Sequence, residues 1–163
     1  MQSAAAVSGE PTSATIEYVF LGPHEIQEAL VLGPEFFKDR GLPAAYDQEK
    51  GLAHWRACEQ LYSVDLLVAK RAGKIVGGIG LAISTDQWSD YRYGAELFFF
   101  VLPIERRGAI GAGLLERAEQ WARDRGVPEF RVGAFHGADY DILSAWYARK
   151  GYRPFTMHFR KEL

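Results

Sequence analysis

One cysteine, Cys58, is present in 163 residues, so the chain cannot close an internal disulfide. Cys58 falls in a stretch with helical apolar spacing (Leu52, Trp55, Cys58, Tyr62), where a reduced core thiol is the ordinary reading. His54 is one helical turn away, but nothing else completes a Cys-His nucleophile there. The histidines His24, His54, His136 and His158 are scattered and give no metal-ligand spacing, so no metal is expected. Charge of one sign is lacking as well. The 19 Lys and Arg face 21 Asp and Glu, a formal net charge of -2, which leaves no global field to hold a polyanion. No nucleic-acid partner is expected. The longest strongly apolar run, Leu97 to Leu102, is far short of the ~18 to 20 residues that span a bilayer, so no membrane partner is expected either.

What is present is ordinary globular composition, 48% hydrophobic and 25% charged, which argues against disorder or a coiled coil. Residues 1–13 are rich in Ala, Ser and Gly and lack the basic start and apolar centre of a secretory signal. They are expected to form a flexible tail on a cytoplasmic protein. The remaining residues, 14–163, fit one domain at ~100 to 200 residues per domain.

Ala14 to Phe20 is rich in β-branched and aromatic residues and reads as a strand, closed by Gly22-Pro23. Helical spacing follows around Ile26 and Leu30, is broken at Gly33-Pro34, and resumes over Glu35 to Arg40. Asp47 can cap a longer helix to about Tyr62. From Asp65 the period becomes 2. Strands Asp65–Lys70 and Lys74–Ser84 are joined by Arg71-Ala72-Gly73. In the second, Ile75, Ile79, Leu81 and Ile83 are expected on one face; Val76, Gly78, Gly80 and Ala82 make the other small enough for a close approach. Tyr93 to Val101 is nearly continuous in apolar residues, so a central strand is expected, interrupted by Glu96.

The clearest helix runs from Gly108 to Arg125. Ile110, Leu114, Leu115, Ala118, Trp121 and Ala122 fall within an arc of about 140°. Gly126 and Pro128 stop it, and Phe130 to Phe135 reads as a strand. Asp139 or Asp141 caps a helix to Lys150, closed by Gly151, and Tyr152 to Lys161 is the last strand. The order β-α-α-β-β-β-α-β-α-β predicts the α/β (α+β) class, a mixed sheet with an antiparallel meander in the middle and α-crossovers towards the end.

The stretch from Val101 to Leu115, VLPIERRGAIGAGLL, is the most informative. A strand ends, and a small-residue turn opens an amphipathic helix whose unpaired N–H groups and positive dipole end favour a phosphate. Arg106 and Arg107 add full charges. Turn geometry alone is the competing reading of the glycines. A Rossmann reading fails, because G-x-G-x-x-G is absent and the preceding strands form a meander.

With these residues in place the chain resembles the GNAT N-acetyltransferases, which bind acetyl-CoA through a Q/R-x-x-G-x-G/A loop. Arg106-Arg107-Gly108-Ala109-Ile110-Gly111 matches that loop at its first and last positions, with Ala109 where the middle glycine is usual. Val101-Leu102-Pro103 resembles the family's Val-x-Pro, and Tyr147-Ala148-Arg149-Lys150-Gly151-Tyr152 its Tyr-x-x-x-Gly-Phe/Tyr signature. Tyr140 stands where an asparagine is often found. The resemblance covers about Ile16 to Leu163, and the overall style is similar to small phage or bacterial members. Ala95-Glu96-Leu97 also looks like the Ala-Glu-Ile strand of the histone acetyltransferase branch.

The resemblance implies the GNAT acyl-CoA N-acyltransferase fold and direct transfer of acetyl from acetyl-CoA to a primary amine of a small molecule, peptide or protein. It places Arg106, Arg107, Gly108, Ala109, Ile110, Gly111 and Ala112 at the pyrophosphate, and the backbone amides of Phe99, Phe100 and Val101 along the pantetheine arm. Tyr147 is by position the family's proton donor, and a core-facing helix residue on the stripe of Leu143 by packing. Glu96 is the candidate base, since a carboxylate in so apolar a strand should have a raised pKa; a strand-edge charge or ion-pair partner is the competing reading. His136 is the second candidate base. Glu35 to Tyr62 and Thr85 to Tyr93 would shape the acceptor site, where Phe36, Phe37, Tyr46, Trp88 and Tyr91 with Glu35, Asp86 and Asp90 suit a cationic amine. A homodimer is common in the family. A catalytically weak CoA-binding sensor or protein-interaction module on the same fold is the alternative function; a toxin-type member modifying aminoacyl-tRNA is disfavoured by the net charge of -2.

Overall fold

The computed structural model describes residues 15–40, 45–61, 63–134, 140–156 and 161. The expected tail, 1–13, lies outside them. The chain divides after Arg131 into two compact units.

The first unit is built on a five-stranded sheet in sequence order. Its strands are β1 (Ile16–Leu21), β2 (Ser63–Arg71), β3 (Lys74–Thr85), β4 (Arg92–Val101) and β5 (Phe130–Arg131). Neighbours from β1 to β4 are antiparallel, and β5 joins β4 in parallel, at the end of the crossover through α4 (Ile110–Asp124). Between β1 and β2 run α1 (Ile26–Ala29), a 3-10 turn (Leu30–Leu32), α2 (Gly33–Asp39) and α3 (Gln48–Leu61). Two short helices and a longer one thus stand between these strands, as the helical spacing predicts, although the summary order β-α-α-β counts two. Pro34 starts α2 and does not interrupt it, because the first turn needs no proline N–H. Asp47 does cap α3, its Oδ1 accepting the Lys50 N–H at 3.0 Å.

The sheet buries both faces. On one, Leu67, Ala69, Ile79, Leu81 and Ile83 pack against the stripe of α4, whose buried residues are Ile110, Leu114, Leu115, Ala118, Trp121 and Ala122. On the other, Leu66, Val68, Ile75 and Phe100 meet Leu21, Ile26, Ala29, Leu32 and Trp55. Each fully buried Leu contributes about 1.5–3 kcal/mol, so this double burial holds the sheet between its helices.

The period of 2 in β3 breaks once. Ala69 faces Gly77 and Lys70 faces Ile75, so Val76 is an extra, bulged residue. Ile75 consequently turns to the face opposite Ile79, and Val76 joins Ile79 on the α4 side, the reverse of the sequence expectation. The small face of β3 is filled as expected. A Cβ at Gly80 would lie 2.8 Å from the Phe98 ring and 3.1 Å from Trp55. The β2–β3 turn is tighter than Arg71-Ala72-Gly73: Arg71 pairs with Lys74, and Ala72 and Gly73, at φ 48° and 75°, make the two-residue turn.

In the second unit α5 spans Tyr140–Arg149 and is closed by Gly151, at φ 92°. Asp141 lies inside its first turn and is not the cap; Asp139 lies outside the described residues. Among the described residues the expected strand Phe130–Phe135 pairs at Phe130 and Arg131, Val132–Ala134 belong to no regular element, and Phe135 is outside the described residues. Of the expected last strand, 152–156 and 161 are in no regular element, and 157–160 are outside the described residues.

Candidate functional site

β4 is flanked on both sides only near its start. Gly94 and Ala95 pair with Phe130 and Arg131, and from Glu96 to Val101 β4 has no further partner strand on that side among the described residues. The strand was expected to be central; among the described residues β5 pairs with it at Gly94 and Ala95. A bulge falls at the same place. Gly80 faces Phe98 while Leu81 faces Glu96, leaving Leu97 unopposed. Glu96 is half-buried and, opposite Leu81, belongs to the α4 face of the sheet. Phe99 packs on the α4 side and Phe100, 5% exposed, on the other, so their rings serve the two cores.

Beyond Val101 the chain makes a 3-10 turn, Pro103–Glu105, and then opens α4. Ala109 is the N-cap residue, at φ -77° and ψ -9°, in ordinary right-handed backbone. An alanine is therefore unstrained where the family's loop usually has glycine. Ala109 supplies no side-chain cap, and the first turn holds no acidic residue. The N–H groups of Ile110, Gly111 and Ala112 lack intrahelical acceptors and stand at the positive end of a 15-residue helix. Left-handed backbone occurs instead at Arg107, φ 68°, whose side chain is exposed.

Arg106 is engaged with the protein itself. Its guanidinium pairs with Asp39 at the end of α2, its Nε donates to the Val101 carbonyl at 2.9 Å, and its Cζ lies 5.1 Å from the Phe100 ring centroid. Nothing in the local pattern around Asp39 marked it as a partner 67 residues away.

In the second unit Tyr147 is 8% exposed, and its hydroxyl donates to the Gly133 carbonyl at 3.3 Å. Its ring lies 5.1 Å from Trp146 and 5.6 Å from Tyr152. The Tyr-x-x-x-Gly-Tyr spacing has a mechanical cause. The Tyr152 N–H returns to the Tyr147 carbonyl at 3.0 Å and the Gly151 N–H to Ala148 at 3.0 Å, a closure that needs left-handed backbone at Gly151 and lays Tyr152 on Tyr147. Tyr140, half-buried, is the first residue of α5. His136 lies outside the described residues.

The segments expected to shape an acceptor site differ in character. Phe36 is core-like, 5.8 Å from Phe98 and 5.7 Å from Phe100. Phe37 lies 6.2 Å from Tyr46, whose hydroxyl is held above its ordinary pKa by burial first and by Asp47 second. In the β3–β4 turn, Asp86 Oδ1 accepts from the Trp88 N–H and the Ser89 hydroxyl, both at 3.0 Å, and Trp88 is left 89% exposed. Tyr91 donates to Glu129 at 3.0 Å; Glu129 pairs with Arg131, whose Cζ lies 3.6 Å from the Tyr93 ring centroid. That hydrogen bond from Arg131 is the main reason Glu129 is held below the ordinary carboxylate range, and the bond to Glu129 pushes Tyr91 above its usual value. Cys58 is buried, its Sγ 3.7 Å from His54 Nε2. No group of metal-ligating side chains forms, and no helix is long and apolar enough to cross a membrane, among the described residues.

Known proteins agree with this architecture. The acetyltransferase (GNAT) family model matches residues 30–152. An IAA acetyltransferase of Azospirillum brasilense is 38% identical over 91 residues, which cover 55% of this chain and 56% of that protein. The match thus spans little more than half of the relative's length. Among solved structures, a GCN5-related N-acetyltransferase from Ralstonia eutropha superposes with a TM-score of 0.70 at 21% identity, covering 91% of this chain and 99% of that one. An aminoglycoside acetyltransferase from an uncultured soil metagenomic sample gives 0.69 at 23% identity over 91% and 99%. An acetyltransferase of Clostridium acetobutylicum with acetyl-CoA gives 0.70 at 15% over 91% and 96%. These structures share the fold. With three-quarters of its length matched by the family model, the chain belongs to the acetyltransferase (GNAT) family.

Proposed function

We propose that the protein transfers the acetyl group of acetyl-CoA directly to a primary amine carried by a small molecule or a peptide. One observation carries this reading: β4 runs at Val101 through a 3-10 turn into the uncapped, acid-free N-terminus of α4. A pyrophosphate fits the N–H groups of that first turn, and an extended pantetheine arm would lie along β4 as an added strand. The Clostridium relative with bound acetyl-CoA supports the cosubstrate, and the metagenomic relative's name supports an amine acceptor.

Acetyl-CoA supplies an activated thioester when bound. The protein's part is to orient it and to move protons. The backbone of Phe99 to Val101 holds the arm, the Phe100 N–H facing β3 as the Leu102 N–H does and those of Phe99 and Val101 facing away from it, and a donor there polarises the thioester oxygen. Glu96 accepts the proton of the attacking amine as the C–N bond forms; Tyr147 gives its proton to the sulfur as the C–S bond breaks. A lysine-type amine, with a reference pKa of ~10.4, needs the base more than an α-amine at ~7.7 to 8.0.

The test is an acceptor screen with acetyl-CoA over polyamines, aminoglycosides, amino acids and peptides, read as thiol release. Turnover on at least one amine is expected. CoA binding without turnover on any would favour the sensor, and no binding of CoA would overturn both.

A further inference from the structure

We propose that Tyr18 of β1 is a positioning residue for the phosphate-binding turn of α4. The proposal rests on the acetyl-CoA reading above. Tyr18 pairs with Ala69 and packs on the α4 side of the sheet. Inside α4, Gly113 sits where a Cβ would overlap the Tyr18 hydroxyl and ring. A glycine within a helix is destabilising relative to alanine, so its place there is explained by the ring it admits. Arg117, one turn on, covers the same ring, its Cζ 3.9 Å from the centroid, and donates to the Gly113 carbonyl at 3.1 Å.

Seated this way, the Tyr18 hydroxyl donates to the Ala109 carbonyl at 3.4 Å, and the same carbonyl accepts the Gly113 N–H at 2.9 Å. The Ala109–Ile110 peptide is planar and trans, so its C=O and N–H point in opposite directions. Drawing the carbonyl down the helix aims the Ile110 N–H out of the N-terminus. Tyr18, distant in sequence and in no motif, thereby sets the direction of a phosphate-facing donor.

The experiment measures the Kd of CoA by calorimetry, the melting temperature, and KM and kcat for acetyl-CoA, in wild type, Tyr18→Phe and Gly113→Ala. Tyr18→Phe is expected to weaken CoA about 2- to 10-fold, the range of one hydrogen bond, with the loss in KM and not in kcat. Gly113→Ala should weaken CoA at least as much, although alanine is the better helix former, because it displaces the ring. If wild type binds CoA and Tyr18→Phe binds it equally, the role of Tyr18 fails while the acetyl-CoA reading stands. A fall in affinity that only tracks a fall in melting temperature in both variants would also overturn it, leaving Tyr18 as packing. Failure of the wild type to bind CoA removes the reading itself.

Discussion

Arg106 and Asp39 form an ion pair that joins the turn ahead of α4 to the last residue of α2. The same guanidinium holds the end of β4 through the Val101 carbonyl. Charged hydrogen bonds contribute ~1.5–3 kcal/mol, and both side chains are partly exposed, so solvent screening reduces this to about 1–2 kcal/mol. Arg106→Ala should lower the free energy of unfolding in urea by that amount, and weaken CoA by loosening the turn. Asp39→Ala should reproduce part of the loss although it removes no cation. A double-mutant cycle should show coupling above ~0.5 kcal/mol; additive single effects would mean that the pair does not act as a unit.

Arg107 presents the opposite case, an exposed side chain on a left-handed backbone. That conformation costs a non-glycine residue about 1–2 kcal/mol, partly offset by the entropy glycine loses on folding. Arg107→Gly should therefore leave stability unchanged or raise it by up to ~1 kcal/mol, while CoA affinity falls with the lost cation. A drop in stability together with full CoA affinity would show that the arginine is structural and not phosphate-directed.

Local chemistry made much of this readable in the sequence. The six residues of the α4 arc are the six that the helix buries, because a single amphipathic helix settles its own inward face. The Asp47 cap and the Gly151 closure are likewise set within a few residues. What the pattern missed depends on partners. A bulge at Val76 exists only relative to β2, and one at Leu97 only relative to β3, so the exchange of faces at Ile75 and Val76 has no local sign. Arg106 looked like a free phosphate ligand because Asp39 is remote in sequence. Tyr18 left one trace, a glycine in the third position after the helix start, whose reason appears only when β1 is in place.

The pair of Glu129 and Arg131 gives a pH dependence. Arg131 and Tyr91 hold the Glu129 carboxyl below its ordinary value in the folded protein, so the unfolded chain binds that proton more tightly. The stabilisation is therefore complete above the ordinary carboxylate pKa, ~4.3, and is lost as pH falls through the lower, folded value. Tyr91 runs the other way: its raised value gives a contribution present below ~10 that disappears as pH rises beyond it. Melting curves of wild type and Glu129→Gln should differ at pH 7 and converge towards pH 3. Parallel curves across that range would remove Glu129 as a source of acid sensitivity.

Substitutions at Tyr147 and Glu96 test the two proton transfers proposed for the reaction. Tyr147→Phe keeps the ring between Trp146 and Tyr152 and deletes only the hydroxyl, whose acceptor, the carbonyl of exposed Gly133, can turn to water. The stability cost should be below ~1 kcal/mol. In the proposed mechanism protonation of the departing thiolate then loses its donor, and general acid-base steps are worth roughly 100- to 10,000-fold. A fall in kcat of that size is expected, with CoA affinity nearly preserved. Glu96→Gln should cost less with an α-amine acceptor, already partly deprotonated at pH 8, and more with a lysine-type amine. Raising the pH deprotonates the amine without the base, so it should rescue Glu96→Gln; it supplies no proton to sulfur, so Tyr147→Phe should stay slow. Full activity of a well-folded Tyr147→Phe on the best acceptor would transfer the acid role to another group or to solvent, and an absence of rescue in Glu96→Gln would leave that residue as an ion-pair or strand-edge charge.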